Sequence, residues 1–179
     1  MNATRSQGAN AASRVRYRVR QFANVFRARL SDDEWQTAEA LLAPPLLALF
    51  RQIPVMGQRH SMDVCRTLQR QGCRDDDVLI AALLHDLGKG RIHVGHRVAF
   101  VLLSRLAPGL LSWWAAERPG PWRRALYRTL HHDELGAAMA AQAGASPAVV
   151  ALIRDHERPF AASPSDARLA LLRAADDAS

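Results

Sequence analysis

The sequence predicts an all-α fold, and three observations support this prediction. Apolar residues recur at steps of three and four along most of the chain, a spacing that lines one face of an α-helix. Residues typical of helix starts and stops separate these segments. No segment alternates apolar and polar residues between hairpin turns, so we predict no β-sheet.

The N-terminal third is predicted to contain a tail and a helical extension. Residues 1–13 are mostly small and polar, and we expect them to be disordered. Residues 14–54 form the extension, in which a first helix runs from Ser13 to about Leu30. Ser31 and Glu34 make a capping box that starts the next helix, and Pro44-Pro45 should end or bend it. Covering an active site, dimerisation and partner binding are equally open roles for this extension.

The central segment predicts two helices that carry polar residues inward. The first spans roughly Val55 to Arg70, places His60 on an inner face and stops near Gly72. Its inner stripe is formed by Met56, His60, Val64 and Leu68. Asp75 or Asp76 caps the second helix, which is apolar nearly all round and therefore reads as a buried central helix. It ends at His85 and Asp86.

The remaining segments continue the helical pattern. Helices are predicted at about 93–106, 121–130 and 132–143, then from Ser146-Pro147 to about His156, and finally over 166–177. Ser146 followed by Pro147 combines an N-cap residue with a first-turn proline.

The composition favours a folded protein with anionic partners. Hydrophobic residues make up 49% of the 179 residues, and the net charge is +7, which attracts nucleotides, phosphorylated metabolites, nucleic acid or anionic lipid. The arginine-rich segment at 14–29 has few aromatic residues and no recognised DNA-binding motif, so nucleic acid is not the favoured partner. Cys65 and Cys73 do not form a disulfide framework. The longest apolar stretch, Val98 to Trp114, is interrupted, and no signal peptide is apparent. We therefore expect no membrane span and a cytoplasmic location.

Several histidines fall beside carboxylates on inward helix faces, which is unusual for a core. An ionised aspartate such as Asp86 is costly to bury unless it is paired or binds a metal. Imidazole and carboxylate ligands together suit iron, manganese, zinc, nickel or cobalt. This pattern predicts a metal site without choosing the metal.

The order H, HD, H, H, D resembles that of the HD-domain superfamily of metal-dependent phosphohydrolases. The resemblance rests on GQRHSMDVCRTL, AALLHDLGKG, HHDELGAA, IRDHE and LLRAADD, which together cover residues 55–179. It implies an HD-domain-like helical bundle over that range, with the N-terminal helical extension added to it.

The resemblance also implies a ligand set for one or two divalent transition-metal ions. The basic site would consist of His60, His85, Asp86 and Asp176. A second position would add His132 and His156, with Asp86 bridging. Two registers stay open: His131 could replace His132, and Asp177 could replace Asp176. We prefer His132 because Gly136 follows at the family's spacing, and Asp176 because Ala-Asp is the usual dipeptide.

The implied reaction is hydrolysis of a phosphate ester or anhydride by a metal-activated water. The substrate would be a nucleotide or another small phosphorylated metabolite. Asp86 and Lys89 are the expected catalytic residues, because Lys89 lies one helical turn beyond His85 and could grip a phosphate as a point charge. The alternative for Lys89 is a solvent-facing lysine at a helix C-terminus.

The sequence excludes one branch of the family and leaves two alternative functions open. The branch that cleaves cyclic di-GMP carries H-H-E-x-x-D-G-x-G-Y-P, whereas this chain reads DHERPFAASP, with Asp155 in place of the first histidine; we therefore exclude that substrate. A di-iron HD-domain oxygenase is one alternative function. A non-catalytic regulatory protein that binds a nucleotide or metal is the other, and a homodimer is compatible with all three.

Overall fold

The computed structural model describes residues 29–90, 120–158 and 166–179, together with Gly109. Within these ranges the chain is helical and contains no strand, as predicted. The helices are α1 Asp32–Leu41, α2 Pro44–Gln52, α3 Val55–Arg70, α4 Asp76–Leu84, α5 Pro121–Leu130, α6 His132–Gln142, α7 Pro147–Asp155 and α8 Ala167–Asp177. A 3-10 turn covers Leu87–Lys89. The tail at 1–13, nearly all of the predicted helix before Leu30 and the predicted helix at 93–106 lie outside the described residues.

Two short helices open the described part of the chain. The capping box at the start of α1 is confirmed, since the Ser31 N–H donates to Glu34 Oε2 at 2.8 Å. Pro44-Pro45 ends α1 and also begins α2, a helix that the sequence did not predict. Proline is suited to a first helical turn because the amide it lacks would have no partner there. Residues of both helices join the hydrophobic core formed by the later helices; the division of the chain at residue 54 stays a prediction.

Helix α3 has the predicted bounds and ends before Gly72, whose φ of 87° is readily adopted only by glycine. Val64 and Leu68 are fully buried, whereas Met56 is 46% exposed. The prediction that Met56 belongs to the inner stripe is therefore wrong. Each four-residue step turns about 40° around a helix with 3.6 residues per turn, so three steps carry Met56 away from the face of Leu68.

Helix α4 is the central element of the core. It packs against α1, α3, α7 and α8, and its residues from Ala81 to Leu84 are fully buried. Asp75, rather than Asp76, is its N-cap, because the Asp75 carboxylate accepts from the N–H of Asp77 at 3.0 Å. Helical backbone geometry continues into His85, so the helix carries this residue and Asp86 into the core.

A buried ion-pair network ties α1 to α3. Arg59 donates through Nη1 to Glu34 Oε2 and lies with Nη2 beside Glu34 Oε1, both at 2.7 Å, a two-pronged geometry that gives a strong pair. Arg66 Nη1 is 2.9 Å from Glu34 Oε1. Burial alone would raise the pKa of Glu34, but these arginines and the Ser31 N–H lower it from 4.5 to about 2.

The low pKa of Glu34 predicts a pH-dependent contribution to stability. A depressed carboxyl pKa stabilises the fold above the unfolded value and loses this effect as pH falls towards the folded value. Glu34→Gln should therefore reduce the free energy of unfolding at pH 7 by about 3 kcal/mol. The difference from the unaltered chain should shrink between pH 4.5 and about 2, as measured by urea unfolding.

The matched control is Glu39→Gln. Glu39 pairs with Arg51 at 3.0 Å on the surface, where such pairs contribute at most about 1 kcal/mol. Equal losses for the two variants at pH 7 would contradict the assigned role of Glu34.

Candidate metal centre

The residues expected to bind metal converge from five helices at one end of α4. They are His60 on α3, His85 and Asp86 after α4, His132 at the start of α6, His156 after α7 and Asp176 on α8. All except His60 and Asp176, which are partly exposed, are buried. Sequence positions more than a hundred residues apart thus meet in one cluster.

The cluster consists of two groups that share Asp86. In one group, potential ligand atoms of His60, His85 and Asp86 lie within 4.8 Å of one another. Asp86, His132 and His156 meet the same criterion in the other. Asp176 adjoins the first group, since its Oδ1 lies 2.9 Å from His60 Nε2 and 3.5 Å from His85 Nε2.

Three of the histidines are held by the backbone of their own chain segment. Each places Nδ1 against the carbonyl oxygen three residues earlier. The pairs are His85 with Ala82 at 2.9 Å, His132 with Thr129 at 2.9 Å and His156 with Ile153 at 2.6 Å. A carbonyl oxygen only accepts, so Nδ1 carries a hydrogen and Nε2 of the neutral ring has a lone pair.

These three Nε2 atoms provide the test of whether the site suits a metal. All three are buried and none makes a hydrogen bond within the described chain, although buried polar atoms are normally satisfied. Fixing one ring nitrogen with a backbone carbonyl is how proteins orient histidine ligands. Inward lone pairs beside carboxylates are the donor set of a divalent transition metal, and the site fits one.

The local charges support the same interpretation. Burial is the main cause that lowers the pKa of His156, and the charge of His85 is the next; together they bring it to about 4. His156 is therefore neutral at pH 7. Burial would raise the pKa of Asp86, but the charges of His85 and Lys89 hold it below its ordinary value. Neutral imidazole and ionised carboxylate are the protonation states that metals require. Burial would lower the pKa of His85, but the charges of Asp86 and Asp176 raise it, so His85 would release its Nε2 proton when a cation binds.

The structure separates the two register alternatives. His131 is 38% exposed in its side chain and contacts the Tyr127 ring, with 4.5 Å between ring centroids, whereas His132 is buried against His156. Asp177 is exposed, whereas Asp176 contacts His60. Geometry therefore places His132 and Asp176 in the cluster, as preferred from the sequence.

Comparison with known protein families matches residues 57–179 to the HD domain. The chain belongs to the HD-domain family. This assigns it to the superfamily of metal-dependent phosphohydrolases, and its histidine and aspartate cluster is consistent with an HD metal site. Comparisons with curated proteins and with solved structures gave no significant match. None of the helices in the described ranges combines the length and the hydropathy that a membrane-spanning segment needs.

Lys89 of the HD domain faces the cluster and not open solvent. Its Nζ lies 2.6 Å from Asp86 Oδ1 and 3.5 Å from Glu157 Oε1, and the side chain is 26% exposed. Burial would lower the pKa of Lys89, but the carboxylates of Asp86, Glu157 and Asp176 together raise it. The lysine is therefore a fixed positive charge at the edge of the centre.

Two residues beside the cluster were not predicted from the sequence. Glu157 reaches to 3.3 Å from His132 Nε2; its only sequence signal is its position after His156. Arg173 donates to the carbonyl oxygens of His156 at 2.8 Å and Arg158 at 2.6 Å, and also to that of Asp155. It thus satisfies the open end of α7 and fixes the turn that bears His156.

Gly88 and Gly136 let the turn after Asp86 pass close to the start of α6, which brings Asp86 near His132. A Cβ on Gly88 would lie 2.0 Å from the carbonyl oxygen of His132, and one on Gly136 would lie 3.1 Å from Gly88 N. The turn after Asp86 can therefore touch α6 only without side chains. This contact explains the glycine four residues after His132 in physical terms.

Gly88→Ala should destabilise the HD domain, because the new Cβ must push α6 and His132 away from Asp86. We expect a loss of about 1–3 kcal/mol in the free energy of unfolding, measured with urea, together with weaker metal uptake. Gly136→Ala is the graded control, since its clash is smaller and alanine favours a helix by about 1 kcal/mol over glycine. Unchanged stability of Gly88→Ala would contradict the tight crossing.

Proposed function

We propose that this HD-domain protein hydrolyses a phosphate ester or anhydride of a nucleotide or another small phosphorylated metabolite. The observation that carries the proposal is the pair of ligand groups sharing Asp86, with a lysine ammonium beside the shared carboxylate. Family membership and the net charge of +7 both favour a phosphorylated, anionic substrate.

Each group of side chains has a distinct binding role in the proposal. His60, His85, Asp86 and Asp176 would hold one divalent cation, and His132 and His156 would hold a second together with the shared Asp86. A divalent cation in such a site lowers the pKa of a coordinated water and neutralises charge on phosphoryl oxygens. The backbone contacts at Nδ1 keep the imidazoles oriented before the cation arrives, which limits the reorganisation needed on binding.

Lys89 binds the phosphoryl group in this proposal. Its ammonium is held at the centre by Asp86 and Glu157, and it remains charged at neutral pH because its pKa is raised. A compact ammonium can follow the charge on phosphoryl oxygens without demanding the planar geometry of an arginine. Negative charge that develops on these oxygens would be stabilised more strongly in this partly dry site than in water.

Asp86→Asn is expected to remain folded but to lose metal and hydrolysis, because a neutral amide cannot bridge two cations. Elemental analysis of protein purified without chelators should show the loss. Release of phosphate from a panel of nucleoside mono-, di- and triphosphates should fall in parallel. Asp76→Asn is the control, since Asp76 lies exposed in the first turn of the same helix.

The outcomes of this experiment separate the alternatives. Full phosphate release by folded Asp86→Asn protein would contradict the proposal. Iron as the bound metal, with oxygen consumption and no phosphate release, would favour an HD-domain oxygenase. Tight nucleotide binding without any product would favour a regulatory protein.

Lys89→Met should leave metal content intact while slowing hydrolysis. Removing one group that stabilises transition-state charge typically lowers kcat by about 100- to 1,000-fold. Steady-state kinetics on the best substrate of the panel, with metal content measured on the same sample, checks this expectation. Unchanged kcat and KM would remove Lys89 from the site's chemistry.

A further inference from the structure

Glu157 occupies a place at the cluster that the expected ligand set does not account for. It follows His156 directly and projects Oε1 to 3.3 Å from His132 Nε2. The carboxylate belongs to the side of the centre formed by His132 and His156. Its side chain is 52% exposed, so an ionised carboxylate can be kept there without the desolvation cost borne by Asp86.

The contact between Glu157 and His132 needs either a proton or a metal ion between its two atoms. His132 Nδ1 faces the Thr129 carbonyl oxygen, so a neutral His132 ring presents a lone pair at Nε2 to the Glu157 carboxylate. Two acceptor atoms at 3.3 Å repel each other unless a positive charge lies between them. A proton on His132 would satisfy this pair alone, whereas a metal ion would also satisfy the buried Nε2 of His156, which has no hydrogen-bond partner in the described chain.

The separation of the two atoms has the size expected of neighbouring ligands. Histidine nitrogen and carboxylate oxygen bind zinc at about 2.0–2.2 Å, so ligands about 100° apart are separated by about 3.2 Å. The observed 3.3 Å between Glu157 Oε1 and His132 Nε2 matches this distance.

The distribution of charge between the two groups points the same way. The first group has the carboxylate of Asp176 in addition to the shared Asp86. The second has two imidazoles and only the shared carboxylate, and Lys89 adds a positive charge 2.6 Å from that carboxylate. A second divalent cation there would be poorly neutralised without another anion.

The backbone around Glu157 is fixed in a way that suits a ligand. Arg173 donates to the carbonyl oxygens of the residues on both sides, His156 and Arg158. The Arg158 N–H also bonds to the Asp155 carbonyl oxygen at 3.1 Å. The turn therefore presents His156 and Glu157 as one rigid pair.

We propose that Glu157 is a metal ligand, and that it completes the position formed by His132, His156 and the shared Asp86. This inference rests on the proposed metal-dependent function and deepens it. With Glu157, the second ligand group would have a carboxylate that it does not share, as Asp176 provides for the first group.

Metal binding by the full chain tests the assignment without any activity measurement. Metal-free protein is titrated with Co²⁺, and the number of equivalents, their dissociation constants and the visible absorption spectrum are recorded. Glu157→Gln should weaken binding of the second equivalent by at least about 10- to 100-fold, which is the loss typical when even an outer-shell partner of a metal ligand is removed. The visible absorption spectrum of Glu157→Gln with Co²⁺ should approach that of His132→Ala with Co²⁺. The control is Glu134→Gln, whose side chain is 61% exposed and is paired with Arg158 at 3.8 Å.

A competing explanation is that Glu157 acts only by neutralising Lys89, which lies 3.5 Å away. Combining Glu157→Gln with Lys89→Met separates the two roles. If Glu157 is a ligand, the double variant stays defective in the second equivalent. Restoration of normal affinity in the double variant would overturn the ligand assignment.

The remaining outcomes distinguish this inference from the proposed function. If the unaltered chain binds two equivalents of Co²⁺ and Glu157→Gln binds both with the same affinities, the inference is overturned and the proposed metal centre stands. The inference is also overturned if the unaltered chain binds a single equivalent of Co²⁺ that is lost in His60→Ala but unaffected by Glu157→Gln. No Co²⁺ uptake by the unaltered chain would overturn the proposed function, and the role of Glu157 with it.

Discussion

Burial of the Asp86 carboxylate at the end of α4 is the constraint on which the rest of the structure depends. A charge in that place is costly unless positive groups surround it, and α4 brings it there because its apolar residues are covered on all sides. Lys89 supplies positive charge from the same segment, 2.6 Å from Asp86 Oδ1, and His85 Nε2 lies 3.5 Å from the same oxygen. The other helices add imidazoles that face the same carboxylate, and the two groups of ligand atoms share Asp86 for this reason.

The histidines of the cluster also solve a problem at the helix ends. The last carbonyl oxygens of a helix have no amide partner within it. Three of these carbonyl oxygens, in the last turns of α4, α5 and α7, each accept a hydrogen bond from a histidine Nδ1. They belong to Ala82, Thr129 and Ile153. The same contact thus satisfies the backbone and turns Nε2 inward. Helix termini that would otherwise need water or a cap become the supports of the histidine and aspartate cluster.

Sequence signals predicted the features that depend on local chemistry and missed those that depend on tertiary contact. The bounds of α3, the Ser31 capping box and a cap at Asp75 or Asp76 follow from residues within one turn of each boundary, and the structure selects Asp75. The six cluster residues were found through motif order. Glu157 and Arg173 were missed because their partners come from distant segments. Helix α2 was missed because Pro44-Pro45 was interpreted only as a stop, and Met56 was misplaced by treating steps of four as a straight stripe.

The N-terminal helices bear on the site through the orientation of α3. Arg59 precedes His60, and neighbouring residues lie about 100° apart around a helix, so fixing one fixes the direction of the other. Glu34 on α1 contacts both terminal guanidinium nitrogens of Arg59 and also pairs with Arg66, two turns further along α3. Rotation of α3 about its axis would break this buried network and move His60 away from Asp176. The described residues before position 55 therefore contribute to the geometry of the HD centre, although none of them belongs to the cluster.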